Sequence, residues 1–261
     1  MKKTLFAIAT LALITTACSG NSKENGNDSV TADTTEATMR QEEKVDTFYS
    51  PDLAMHELHG HVKECLVETS DAKLKDGKFE TKGKWEKGGA LLFSDNGFIA
   101  KDEFFTYAYL DDGKIKAEHN KNKGSFGKVK RNKNGQIVKM EYDDPKDETM
   151  TWKTEYVWNK AGHPGKESAI GWEWNYDTEY TYNANGYLTK SVETSGDMES
   201  TDTTTITYEY VSFDKNGNWT ERNSTVKIVR KMTDSEISVG QPAVSSEKRY
   251  YSERRKITYW E

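Results

Sequence analysis

One short unit recurs along most of this chain. An aromatic or β-branched residue leads through a few polar residues into Asn-Gly or Asp-Gly, followed by an apolar residue and, in most copies, a lysine. Clear copies are Phe93-Ser94-Asp95-Asn96-Gly97-Phe98-Ile99-Ala100-Lys101, Tyr182-Asn183-Ala184-Asn185-Gly186-Tyr187-Leu188-Thr189-Lys190 and Phe213-Asp214-Lys215-Asn216-Gly217-Asn218-Trp219. A recurrent unit of this size constrains the fold more than any single motif. A two-residue hairpin loop of type I′ needs positive φ at both central residues, which Gly, Asn and Asp adopt at least cost. The unit therefore predicts hairpins with turns at Gly77, Gly97, Gly113, Gly135, Gly162, Gly186 and Gly217, spaced by 20, 16, 22, 27, 24 and 31 residues. The longer late spacings predict longer return loops, with Asp143 to Asp147 as one candidate.

The flanking segments read as strands. Thr205 to Val211, Tyr176 to Tyr182 and Lys256 to Trp260 alternate aromatic or β-branched residues with polar ones, a pattern suited to a half-buried pleated surface. Ile99, Ile115, Ile137, Leu188 and Trp219 each lie two residues after a turn glycine, which predicts one apolar row across successive hairpins. Lys101, Lys139, Lys166 and Lys190 lie four after it, and strict alternation puts them on the same face. They are either stems covering apolar surface at a rim or a basic ladder for an anion. The copy around Ala161-Gly162-His163-Pro164 carries a proline, which predicts an edge position or a bulge. The fold expected is all-β: repeated antiparallel hairpins in a curved open meander sheet or a small barrel-like wrap, over residues 51–261. One short helix is expected before it, capped by Ser50, with Pro51 first, Asp52 in its first turn and Gly60 as its stop. In an open sheet the charged run from Lys248 to Lys256 would guard an exposed edge.

Residues 1–17 read as a removable leader: Lys2 and Lys3, then an apolar stretch from Leu5 to Ile14 too short to span a bilayer. It ends at Thr15-Thr16-Ala17-Cys18, which resembles a bacterial lipoprotein signal and implies lipidation of Cys18 and an outer-membrane anchor. Residues 18–50 read as an acidic disordered tether, poor in apolar residues. The chain carries a net charge of −6. A mildly acidic domain of mixed sign is not a nucleic-acid binder.

Candidate chemistry is sparse. Cys65 has no partner within the chain if Cys18 is lipidated, and its neighbours Val62, Leu66 and Val67 predict burial. His56, His59 and His61 cluster, but a spacing of three rather than four does not fit a zincin helix. The chain's 43 Asp and Glu residues make any single carboxylate pair uninformative, and no phosphate loop, dinucleotide fingerprint or nucleophile elbow is seen. No catalytic, cofactor-binding or metal residue is assigned. The aromatics are the feature with binding potential. Trp172, Trp174, Tyr187 and Trp219 are the candidates, able to stack on sugars or to form a protein interface if exposed. Alternatively, the aromatics form cross-strand pairs in a sheet with few aliphatic residues, in keeping with a mean hydropathy of −0.91.

The segments from Tyr180 to Lys190 and from Tyr208 to Thr220 resemble YD (RHS-type) repeats. With the leader and the opening Leu58-His59-Gly60-His61-Val62-Lys63, the chain resembles small lipoproteins of Bacteroidota. Asn183 stands where that repeat has aspartate, and most copies lack its first tyrosine. The resemblance implies an antiparallel β-strip without catalytic residues. The functional expectation is a lipid-anchored, non-catalytic envelope protein acting as a protein-interaction or scaffold module, with glycan binding as the alternative.

Overall fold

The structure is a computed structural model that describes residues 45–110, 115–121, 125–144, 147, 149, 151–196, 200–233 and 243–261. The leader, Cys18, the tether up to residue 44, and the turn at Gly113 lie outside these residues. Fourteen described strands succeed one another as an antiparallel meander: β1 Val62–Lys75, β2 Lys78–Phe93, β3 Ile99–Lys101, β4 Phe105–Tyr109, β5 Ile115–His119, β6 Phe126–Arg131, β7 Ile137–Tyr142, β8 Trp152–Trp158, β9 Pro164–Gly171, β10 Asn175–Tyr182, β11 Leu188–Gly196, β12 Ser200–Phe213, β13 Trp219–Met232 and β14 Val244–Tyr259. Of the two forms left open by the sequence, the sheet adopts the closed one, because β14 returns to pair with β1. That seam runs from Val62↔Tyr259 to Ala72↔Tyr250. Closure removes the unpaired row of an open sheet. The charged last strand therefore guards no edge. Instead, Arg254 Nε (2.5 Å) and Lys256 Nζ (3.1 Å) hold the Glu68 carboxylate across the seam.

The turns differ from the two-residue form except at Asp76-Gly77, where both residues have positive φ. At Gly97, Gly135, Gly162, Gly186 and Gly217 only the glycine is left-handed, and its N–H donates to the residue three before it. This is the three-residue loop in which a left-handed residue completes a four-residue turn. The repeated Asx anchors it: Asn132, Asn159, Asn183 and Asp214 each accept at Oδ1 from the backbone N–H two and four residues on. The preference for Asn and Asp at this place is thus a side-chain hydrogen bond.

Behind the turns comes a bulge. Pairing steps from Leu92↔Lys101 to Phe93↔Ile99, from Lys130↔Lys139 to Arg131↔Ile137, from Val157↔Lys166 to Trp158↔Pro164, and from Thr181↔Lys190 to Tyr182↔Leu188. Each step inserts one residue, and one residue reverses every later side chain. Of the expected apolar row, Ile99, Ile137, Leu188 and Trp219 are buried and Ile115 is partly buried, and Pro164 joins it in the copy after Gly162. The lysines expected on its face are turned away from it. Lys101 and Lys190 are exposed, and Lys139 and Lys166 pair with Glu141 and Asp177. The proline copy carries the expected bulge but lies inside the barrel wall, with no edge nearby.

Outside, the wall bears Lys116, Lys128, Lys130, Glu155, Asp177, Glu179, Lys190, Glu209 and Lys227, all exposed. A transmembrane barrel needs an apolar outer band, and a Lys at mid-membrane costs about 2–4 kcal/mol. This outer wall is built for water.

A barrel of this size is too wide for wall side chains alone to fill, and residues 46–61 enter one mouth as a plug. Its helix α1 is Pro51–Met55, capped by Ser50 Oγ accepting from Leu53 N (3.1 Å). It ends before Gly60 because Glu57 takes the left-handed position, φ 53°. Leu58 N donates to Leu53 O and Glu57 N to Ala54 O, the closure expected at a helix end. Leu53 and Leu58 pack with Val62, Cys65, Phe93, Ile99 and Phe105. The latch is a buried ion pair, with Arg131 Nη1 and Nη2 lying 2.5 and 2.7 Å from the Asp52 carboxylate. Breaking such a pair strands the other charge, at about 3–5 kcal/mol. Asp52→Ala and Arg131→Met should each lower urea-unfolding stability by about that amount, while the double variant loses much less than their sum. Additive losses would show that the pair is no latch.

Candidate functional site in the barrel lumen

Cross-strand register lines up one inner row. Tyr156 on β8 faces Glu167 on β9, Glu167 faces Thr178 on β10, and Thr178 faces Glu193 on β11. Glu167 is turned inward by the bulge after Pro164 and is buried. Two tyrosines flanking Thr178 on the same strand clamp it. Tyr176 Oη donates to Oε1 at 2.7 Å and Tyr180 Oη to Oε2 at 2.6 Å. The Thr178 hydroxyl between the two glutamates is buried and has no protein partner.

Burial raises the Glu167 carboxyl above its ordinary value, against the pull of the two tyrosine hydroxyls. Glu193 is raised by burial and then by Glu167. Among the described residues no lysine or arginine forms an ion pair with either. Tyr156 is held well above the ordinary tyrosine range by burial, then by Glu167. Tyr107 Oη donates to Asp102 Oδ2 in the chain's first half, at 2.6 Å. The lumen thus offers carboxyls, hydroxyls and aromatic faces without a cation to neutralise them. Such a surface suits a polyhydroxylated or cationic ligand.

The rim connects to this row. Trp174 O accepts from Gly171 N at 2.9 Å, and its indole lies so close over Gly171 that a Cβ there would fall 2.2 Å from the ring. A side chain at 171 would displace that indole. Trp174 stacks on Tyr176 at 5.9 Å and 12°, so rim and Glu167 are mechanically joined. Trp172 is 58% exposed and lines a groove of about 590 Å³ with Lys128, Lys153 and Ile170, on the outer side of the wall. A second groove of about 650 Å³ lies by the plugged mouth, between Tyr49, Asn132, Trp158 and Asn159, where the Asn132 and Asn159 amide oxygens already hold their turns.

The remaining candidates separate. Trp219 is fully buried and offers no exposed face, and Tyr187 is half-buried with its hydroxyl on Gly217 O at 2.5 Å. Cys65 is a buried free thiol. His56 packs on Phe93, His59 on Tyr187, and His61 on Phe48. Among the described residues no group of three or more His, Cys, Asp or Glu forms a metal cage. Burial lowers His56 to about 4, leaving it neutral. Glu167 and Glu193 were not singled out from sequence; the signal that could have found them is a Glu at the inward position after a bulge. No family model, curated protein or solved structure matches this chain.

A carboxyl raised on folding adds stability at low pH and loses it as pH climbs from 4.5 through the folded value. The contribution of these two carboxyls should therefore fall above pH 4.5, and Glu167→Gln should gain stability relative to the parent as pH rises from 4.5 to 8. A variant whose unfolding midpoint tracks the parent at every pH would contradict a buried, raised Glu167.

Proposed function

We propose that this protein is a non-catalytic, lipid-tethered envelope protein whose barrel binds a glycan through the lumen and its aromatic rim. The reading rests on one observation: the uncompensated row Tyr156, Glu167, Thr178 and Glu193, joined to Trp174 through Tyr176. Hydroxyl and carboxylate acceptors take sugar hydroxyls, and exposed indoles take the apolar faces of sugar rings. Buried carboxyls with no cation to neutralise them are retained at a cost to stability, which supports a functional role. The lipoprotein-like leader and the likeness to YD repeats add the envelope location and the absence of catalysis. The outer wall, charged on successive strands, leaves membrane attachment to Cys18. A protein partner is the second reading, favoured by the neighbours Ile170 and Trp172, 57% and 58% exposed at the end of β9.

The full chain on a glycan array should bind a defined sugar class. Trp172→Ala and Glu167→Gln should each weaken that binding about tenfold or more, the loss of one stacked ring or one charge-assisted hydrogen bond. No binding to any sugar, with a protein recovered by crosslinking in intact cells, would replace this reading with the second. Cys18→Ala should release the protein from washed membranes without detergent. Retention of that variant in the membrane would overturn the tether.

A further inference from the structure

Farther round the wall, beside the plug, the interior chemistry reverses. Arg222 on β13 is fully buried, its Nε on Glu253 and its guanidinium stacked 4.0 Å from the Trp219 ring and 4.6 Å from that of Tyr208. Arg255 on β14 stacks on the same indole at 3.8 Å. It donates from Nη1 and Nη2 to the carbonyls of Glu57 and His56, at 3.2 and 2.9 Å. Yet four nitrogens of this cluster meet no protein acceptor: Arg222 Nη1 and Nη2, Arg255 Nε and Trp219 Nε1. All four are donors only. The Tyr210 ring packs on Trp219, and its hydroxyl interacts with Arg222. Buried donors in this number are rare in native proteins, and the one hydroxyl beside them, that of Tyr210, cannot serve them all.

The charges point the same way. Two guanidinium groups face the carboxyls of Glu253 and Glu57. Glu253 is spent on Arg222 Nε. Glu57 accepts from Leu188 N at 3.1 Å, and burial pushes its carboxyl up to about 8 against the pull of both guanidinium groups. Neither carboxyl reaches the two terminal nitrogens of Arg222.

We propose that this cluster is a built site for a small monoanion bearing a carboxylate, held end-on by the paired Nη1 and Nη2 of Arg222 and completed by Arg255 Nε and Trp219 Nε1. The terminal nitrogens of a guanidinium form a planar fork that matches the two oxygens of a carboxylate. Because Arg255 also holds the plug carbonyls, the bound anion fastens residues 56–57 to β13 and β14. The site is independent of the glycan reading: it lies among different strands and takes the opposite charge.

The probe is formate, with chloride as the comparison, added to the full chain at constant ionic strength while thermal unfolding is monitored. Formate should raise the midpoint in a saturable way, as a ligand of the native state does, and chloride should raise it less. Trp219→Phe keeps the ring under both guanidinium groups and removes one donor, so formate affinity should fall about five- to tenfold. A crystal grown in formate should show the anion on the Arg222 fork. Equal midpoint shifts with both salts, the same formate response in Trp219→Phe, or a water on the fork would each overturn the carboxylate site. Should Arg222→Gln fail to fold, the Trp219→Phe comparison still decides.

Discussion

The pairing of β1 with β14 is the constraint on which the rest depends. It brings together residues nearly two hundred positions apart, as at Glu68 and Arg254, and no local preference encodes it. Once made, it leaves no described strand without two neighbours. It also fixes a circumference too large for wall side chains to fill, so something else must occupy the interior. The chain meets that need in two ways: a plug from residues 46–61 and an inner face rich in tyrosine. Tyrosine adds bulk, and its hydroxyl finds a partner in a polar lumen. A chain poor in aliphatic residues can therefore still build a closed barrel.

The five long strands, β1, β2, β12, β13 and β14, meet at or next to this seam and run 14 to 16 residues, against 3 to 9 for the others. The difference, at about 3.3 Å per residue, makes one side of the wall markedly taller. The Trp172 and Trp174 rim belongs to the shorter side, so a ligand reaching the lumen past those indoles meets a tall backing wall.

Much of this was legible in sequence, and the failures share one cause. Asn-Gly and Asp-Gly marked the turns, and the residue two past each glycine marked the buried row, because both depend on contacts a few residues away. Faces beyond that row were not legible. Ala100, Val138, Gly165 and Thr189 look like ordinary strand residues, yet each is the extra residue of a bulge, and each reverses the facing of the strand residues after it. Counting by twos from Gly162 puts Lys166 inside and Glu167 outside; the wall does the reverse. The glutamate that centres the candidate site was lost among many acidic residues for that reason. Trp219 illustrates the converse. Its place in the apolar row predicted burial, while its aromaticity suggested an exposed stacking face, and burial prevailed.

Two sides of the interior have opposite hydrogen-bonding character, and the bulges account for this too. The position five after the turn glycine turns inward in successive hairpins, and it carries Glu167 after Gly162, Ser191 after Gly186 and Arg222 after Gly217. Reading round the wall, that single repeat position passes from acid through neutral to base. A polar residue there is desolvated whatever its sign, so each must find a partner inside. Glu167 finds two tyrosines, whereas Arg222 finds one glutamate and two aromatic faces that accept no ordinary hydrogen bond. Repetition of the backbone with variation at this one inward position gives the protein an acceptor-rich region and a donor-rich region on one continuous sheet. The backbone repeat sets where a ligand can be met, and the residue at that position sets its charge.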